Sequence, residues 1–172
     1  GYSSLIAIEA IRNNKNKENF ETSITCIEPY ENKWLEETGI RVIREKVEDV
    51  EEDLIIDLKK NDILFIDSSH VIKPQGDLLK IFLEILPKLE KGVLVHIHDI
   101  FTPRDYPSKW LNDENRFYNE QYLFEAIMDH SSRYKIICSL SYLKNDYYVD
   151  LKQVCPYLNE KSEPASMYIE II

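Results

Sequence analysis

Two aspartates and two histidines stand at the ends of two apolar runs, and they are the residues of this chain best suited to chemistry. Residues 62–70 run from Ile63-Leu64-Phe65-Ile66 into Asp67-Ser68-Ser69-His70, and residues 92–100 from Val93-Leu94-Val95 through His96-Ile97 into His98-Asp99. Such continuous apolar runs read as buried parallel strands covered on both faces, and an open α/β sheet binds its ligand beyond the carboxyl ends of its strands. Asp67, His70, His98 and Asp99 are therefore expected on one rim.

Carboxylates converging from neighbouring strands repel unless a cation or a hydrogen-bond network lies between them. A hard divalent ion such as Mg²⁺ answers that, taking one or two carboxylates and leaving room for substrate oxygens. Asp67 and Asp99 are the expected metal ligands, and a hydroxyl bound there would lose its proton more easily. His70 is the candidate general base, because an imidazole with a pKa of about 6.5 suits proton removal near neutrality. The bland alternative is that Asp67 caps the segment after it and His70 is merely exposed. His96, inside its strand, reads as a hydrogen-bonded core histidine. His98 divides between ligand and support, and His130 sits where a helix dipole would favour it.

A third apolar stretch, residues 22–27, is rich in β-branched residues and ends at Glu28-Pro29. Glu28 thus stands where a Rossmann-type sheet places an acid to accept hydrogen bonds from ribose hydroxyls, which suits a dinucleotide or S-adenosylmethionine. The alternative is a solvated carboxylate before a turn. Glu48 and Asp49, after the next strand, could reach an adenine amino group or form an exposed acidic face. Residues 101–117 form a long segment of the kind that serves as a lid or binding loop, with Arg104, Lys109 and Arg116 able to hold a substrate or simply to pack. Asn119-Glu120 could cap a helix or touch the metal or substrate.

These residues need a scaffold, and its elements are legible. Ser3 or Ser4 caps a first helix whose Leu5, Ile8 and Ile11 recur at helical spacing before Asn13 and Asn14 end it. Residues 31–38 read as a helix closed by Gly39, 41–46 as a strand and 50–60 as helical. Residues 76–89 carry an apolar stripe for packing on the sheet, and 119–131 are helical again. Residues 134–140 and 165–172 read as strands separated by an irregular stretch, so the closing pair is expected to be antiparallel. Alternation of strand and helix predicts an α/β, doubly wound, mostly parallel sheet. The length of 172 residues suits a single domain.

Composition narrows the function. A formal charge of −10 argues against nucleic acid, whose binding depends on Lys and Arg. Three cysteines without Cys-x-x-Cys spacing suggest neither a disulfide framework nor a zinc knuckle. No apolar run approaches the roughly 18 residues that span a bilayer, so a cytoplasmic protein is expected. The expected partner is a small-molecule substrate, with neither nucleic acid nor membrane, and the sequence is compatible with a homo-oligomer.

The motifs carry a resemblance. Gly1-Tyr2-Ser3-Ser4 resembles the tail of the glycine-rich first motif of class I S-adenosylmethionine-dependent methyltransferases, Ile27-Glu28-Pro29 the second motif, and Asp67-Ser68-Ser69-His70 a D-x-x-H segment. His98-Asp99-Ile100 resembles the "HD" closing the fifth strand, and residues 117–122 match a further segment of the macrocin and mycinamicin type of metal-dependent sugar O-methyltransferases. The resemblance implies a Rossmann-like fold whose first strand is missing from this chain. It also implies S-adenosylmethionine and Mg²⁺ as cofactors, with Gly1 and Ser3 at the methionine end and Glu28 on the ribose. With Asp49 and Asp67 these make the expected cofactor-binding set; Asp67 and Asp99 bind metal, with Glu120, His98 or water completing the shell, and His70 is catalytic. The expected reaction is methyl transfer to a hydroxyl of a sugar or other small natural product. Rival readings are a nicotinamide-dependent oxidoreductase, a non-catalytic nucleotide-binding domain, and a hydroxylase holding iron through His70, His98 and Asp99.

Overall fold

The computed structural model describes residues 2–18, 22–30 and 33–172. The chain divides into two compact units, Gly1–Val50 and Glu51–Ile172.

The first unit contains helix α1 (Tyr2–Glu18), strand β1 (Thr25–Ile27), a 3₁₀ turn over Lys33–Thr38 and strand β2 (Arg41–Ile43). β1 and β2 pair in parallel, with Cys26 opposite Val42. Gly39, at φ +80°, makes the turn between the 3₁₀ segment and β2 that the sequence assigned to it. α1 differs from expectation at both ends. Ser3 and Ser4 lie within it rather than capping it, and it runs on to Glu18 past Asn13, whose side-chain amide donates to Glu9 Oε1 one turn back at 3.2 Å. An asparagine satisfied along the helix surface has no need to terminate it.

The second unit is built on a four-stranded sheet, β3 (Ile63–Ile66), β4 (Leu94–His98), β5 (Tyr134–Ser139) and β6 (Ser166–Ile171), in the order β3-β4-β6-β5. β3 and β4 are parallel, with Ile66 opposite Ile97, while β6 runs against both β4 and β5. The α/β class and the antiparallel closing pair agree with the sequence. The mostly parallel sheet does not hold here, because β6 inserts between β4 and β5 and makes two of the three pairings antiparallel.

The helical elements of this unit are α2 (Asp53–Ile56), α3 (Asp77–Leu79), α4 (Ser108–Asn112), α5 (Glu120–Asp129), α6 (Leu140–Asp146) and α7 (Tyr148–Val154). α3 continues through a wider π turn, Lys80–Ile85, and a 3₁₀ turn, Leu86–Lys88. α4, α6 and α7 arise in stretches that read as irregular; at five to seven residues each they are too short to display a stripe.

The apolar stripe of 76–89 is where it should be: Leu78, Phe82, Ile85, Leu86 and Leu89 are buried, as are Val95 and Ile97 of β4, Phe124 of α5, and Met167, Ile169 and Ile171 of β6. Gly92, at φ +90°, turns the chain into β4; its N–H donates to Ile171 O at 2.8 Å and its carbonyl accepts from Asn61 N at 2.9 Å. One expectation fails for β3. Ile63 and Phe65, on one face of β3, are exposed, whereas Ile66 on the other is buried, so the strand is not covered on both faces. Among the described residues no helix is long and apolar enough to cross a membrane.

Candidate active site at the ends of β3 and β4

β3 and β4 are parallel and in register, so the residues that follow them emerge side by side. Asp67 follows β3 directly, and Asp99 follows His98, the last residue of β4. His70 and Asp99 both adopt left-handed backbone conformations, at φ +59° and +58°. Non-glycine residues visit that region at a cost, and such strain gathers at functional sites. The loop carrying His70 is held by Asp77 in the first turn of α3, whose carboxylate accepts from Ser69 N at 2.7 Å and Ser69 Oγ at 2.6 Å.

The four rim residues come together as expected. His70 is the centre: its Nε2 lies 3.3 Å from Asp67 Oδ1 and 3.9 Å from Asp99 Oδ2, while its Nδ1 bonds Glu120 Oε1. The imidazole is buried, so the alternative of a merely exposed histidine is excluded. Glu120 has no exposed surface. The sequence left it between cap and contact, and the structure makes it a partner of His70. The signal was there in its place at a helix start within the 117–122 motif, but nothing in the spacing told which side chain it would meet.

Electrostatics set the charge of this cluster. Burial alone would push the His70 pKa down; hydrogen bonds to Asp67 and Glu120, with the charges of Glu120 and Asp99, outweigh it and raise the pKa to about 10. His70 is thus an imidazolium at neutral pH. Its hydrogen bond holds the Asp67 carboxyl below the usual range, whereas burial raises that of Glu120 against the pull of His70.

His98 Nδ1 sits 3.0 Å from Asp99 Oδ1 and 3.9 Å from Asp67 Oδ1, a contact of charge rather than of hydrogen-bond geometry, since among the described residues that nitrogen has no hydrogen-bond partner. Proximity to Asp99 raises the His98 pKa against the effect of burial. His96 corrects an expectation. Its Nε2 is buried with no hydrogen-bond partner among the described residues, and the ring is instead stacked on Tyr168, centroids 4.2 Å apart, with Phe65 edge-on at 4.7 Å. Burial and the charge of His98 lower its pKa to about 4. His130 is the C-cap residue of α5.

The segment 101–117 packs through an aromatic cluster. Phe101 and Tyr106 are buried, Trp110 and Tyr118 pack against them, and Arg116 lies over the Trp110 ring at 4.7 Å. Tyr118 also lies on His70. Arg104 pairs with Asp146, and Lys109 with Glu114, at 2.9 and 3.1 Å.

Of the expected cofactor-binding residues, Gly1 lies outside the described residues. Ser3 is half-buried in the first turn of α1. Glu28 follows β1; its N–H donates to Ile43 O at 3.0 Å and its carboxylate accepts from Tyr30 N at 3.3 Å. Asp49 is exposed in the turn after β2.

The paired acids do not fit Mg²⁺ as arranged. Among the described residues no group of three or more His, Cys, Asp and Glu side chains is disposed to hold a metal ion. The position between Asp67 and Asp99 is filled by the His70 imidazolium, itself the cation the two carboxylates require.

The acids and the buried imidazole stand beyond the carboxyl ends of parallel strands, the place where an open α/β sheet carries its ligand site. A family model described as "Methyltransferase domain" matches residues 1–100, more than half of the 172, and the chain belongs to this methyltransferase family. No curated protein and no solved structure matches the chain.

Proposed function

We propose that the protein is an S-adenosylmethionine-dependent O-methyltransferase acting on a hydroxyl of a sugar or another small natural product. One observation supports the reading beyond the family: His70 Nε2 faces Asp67 and Asp99 at the tips of adjacent parallel strands. The cofactor supplies an electrophilic methyl group. The chain's own part is to align the hydroxyl and take its proton at His70 Nε2 as the oxygen is methylated. In the first unit, Glu28 accepts from the ribose hydroxyls, Gly1 and Ser3 meet the methionine end, and Asp49 the adenine amino group. In the second unit Asp67 is the partner of His70 Nε2.

The charge of His70 shapes the proposal. A base must be neutral to accept a proton, and His70 is neutral only as pH rises towards about 10. Turnover therefore climbs with pH across the neutral range. The same charge favours a second reading, a binding domain that keeps the cofactor and does not turn over.

Calorimetric titration with S-adenosylmethionine and with NAD tests the cofactor, and transfer of labelled methyl to a panel of hydroxylated sugars tests the reaction. Micromolar binding of S-adenosylmethionine alone is expected, with His70→Ala lowering kcat by about 10²–10⁴-fold and leaving cofactor affinity unchanged. Equal loss of both in His70→Ala would remove His70 as the base. Cofactor binding without turnover at any pH would select the second reading.

A further inference from the structure

Three consecutive residues at the start of α5 hold three different pieces of the rim. The Asn119 N–H donates to His70 O at 3.0 Å, and its side-chain Oδ1 accepts from Ile72 N at 2.6 Å. The Glu120 carboxylate takes His70 Nδ1 on one oxygen and Ser68 Oγ, at 3.5 Å, on the other. Gln121 Oε1 accepts from Phe101 N at 2.8 Å, its Nε2 donates to Arg104 O at 2.8 Å, and its backbone N–H donates to Tyr106 Oη at 3.0 Å. Asn119 and Glu120 thus fasten the loop after β3, and Gln121 fastens the segment after β4.

We infer that Glu120 is the positioning residue for His70, with Asn119 and Gln121 setting the spacing between the two loops that carry Asp67 and Asp99. A carboxylate with no exposed surface is expensive unless it is paired, and a residue needed only to favour a helix N-terminus would stay in water. Glu120 is buried because the ring of His70 is its partner. With Nδ1 committed to Glu120, the ring cannot rotate about its χ2 bond, and Nε2 has to face Asp67 and Asp99. The catalytic consequence rests on the proposed role of His70; the positioning itself does not.

The test uses the full chain with ¹⁵N-labelled histidine, as wild type, Glu120→Gln and Glu120→Ala. In the wild type the His70 Nδ1 proton, sealed against a buried carboxylate, gives a downfield resonance that exchanges slowly with water. Glu120→Gln, whose amide oxygen still accepts, keeps that proton protected but moves it upfield. Glu120→Ala loses it. In methyl transfer measured near pH 10, where His70 is largely neutral in all three proteins, Glu120→Ala lowers kcat by about 10²-fold with KM nearly unchanged, and Glu120→Gln recovers most of the loss. An unchanged Nδ1 proton in Glu120→Ala overturns the inference, and so does its loss in Glu120→Gln, a variant that alone decides the matter if the alanine does not fold. Methyl transfer absent from all three proteins while the resonance behaves as stated would defeat the proposed function and leave the positioning role standing.

Discussion

The ring of Tyr118 lies flat on the ring of His70, with centroids 4.4 Å apart and planes 20° from parallel. An aromatic face attracts a cation, with about 0.5–2 kcal/mol available in a partly desolvated pair. Tyr118 therefore favours the imidazolium over the neutral ring. Replacing Tyr118 by Leu should lower the His70 pKa by up to about 1.5, since a change of one corresponds to about 1.36 kcal/mol. Titration of the ¹⁵N-labelled ring reads this directly, and an unmoved midpoint would show that the stacking is packing alone.

His70 should make stability fall on the alkaline side. Its folded pKa, about 10, lies above the ordinary histidine value of 6.5, so its contribution is complete below 6.5 and is lost as pH rises through about 10. Urea unfolding of the wild type and His70→Gln should show the difference between them shrinking in that window, by at most about 1.4 kcal/mol per pH unit. A difference that is flat from pH 6 to 10 would mean that the three acids do not hold the proton.

His96 acts in the opposite direction. Its folded pKa, about 4, lies below the ordinary histidine value of 6.5, so the folded state loses ground as pH falls from 6.5 towards 4, and the effect is absent above that range. A buried nitrogen without a partner also costs about 1–3 kcal/mol. His96→Phe keeps the aromatic contacts with Tyr168 and Phe65 and removes both penalties. It should match or exceed the wild type at neutral pH and gain further between pH 6 and 4; a variant less stable than the wild type at pH 5 would count against this account.

Magnesium should leave the protein unmoved. A ligand that binds the folded state at 100 times its Kd stabilises it by about 2.7 kcal/mol. Thermal unfolding in millimolar Mg²⁺ and in EDTA is expected to coincide, because His70 already serves Asp67 and Asp99. A rise in Tm with Mg²⁺ that vanishes in Asp99→Asn would restore those two acids as metal ligands.

Phe124 anchors the helix that carries Glu120. It is fully buried on α5, and truncation of a large buried aromatic costs about 3–5 kcal/mol. Phe124→Ala should lower the urea midpoint accordingly. A loss under about 1 kcal/mol would show that α5 is held by its hydrogen bonds rather than by its packing.

Much of the site was legible along the chain because a strand in an open α/β sheet announces itself by an apolar run, and the polar residues after the run fall at the tip. Asp67, His70, His98 and Asp99 were found that way, and the stripe of 76–89 and the helix at 119–131 by their period. What residue order leaves open has one cause: it depends on which groups meet across long separations in sequence. Residue order does not tell that Glu120 reaches back fifty positions to His70, that the imidazole of His70 comes close to both Asp67 and Asp99, or that β6 enters between β4 and β5. Local pattern settles what a segment can be. The charge of His70 is a sum over Asp67, Asp99 and Glu120, and only the folded chain brings those terms within reach of one another.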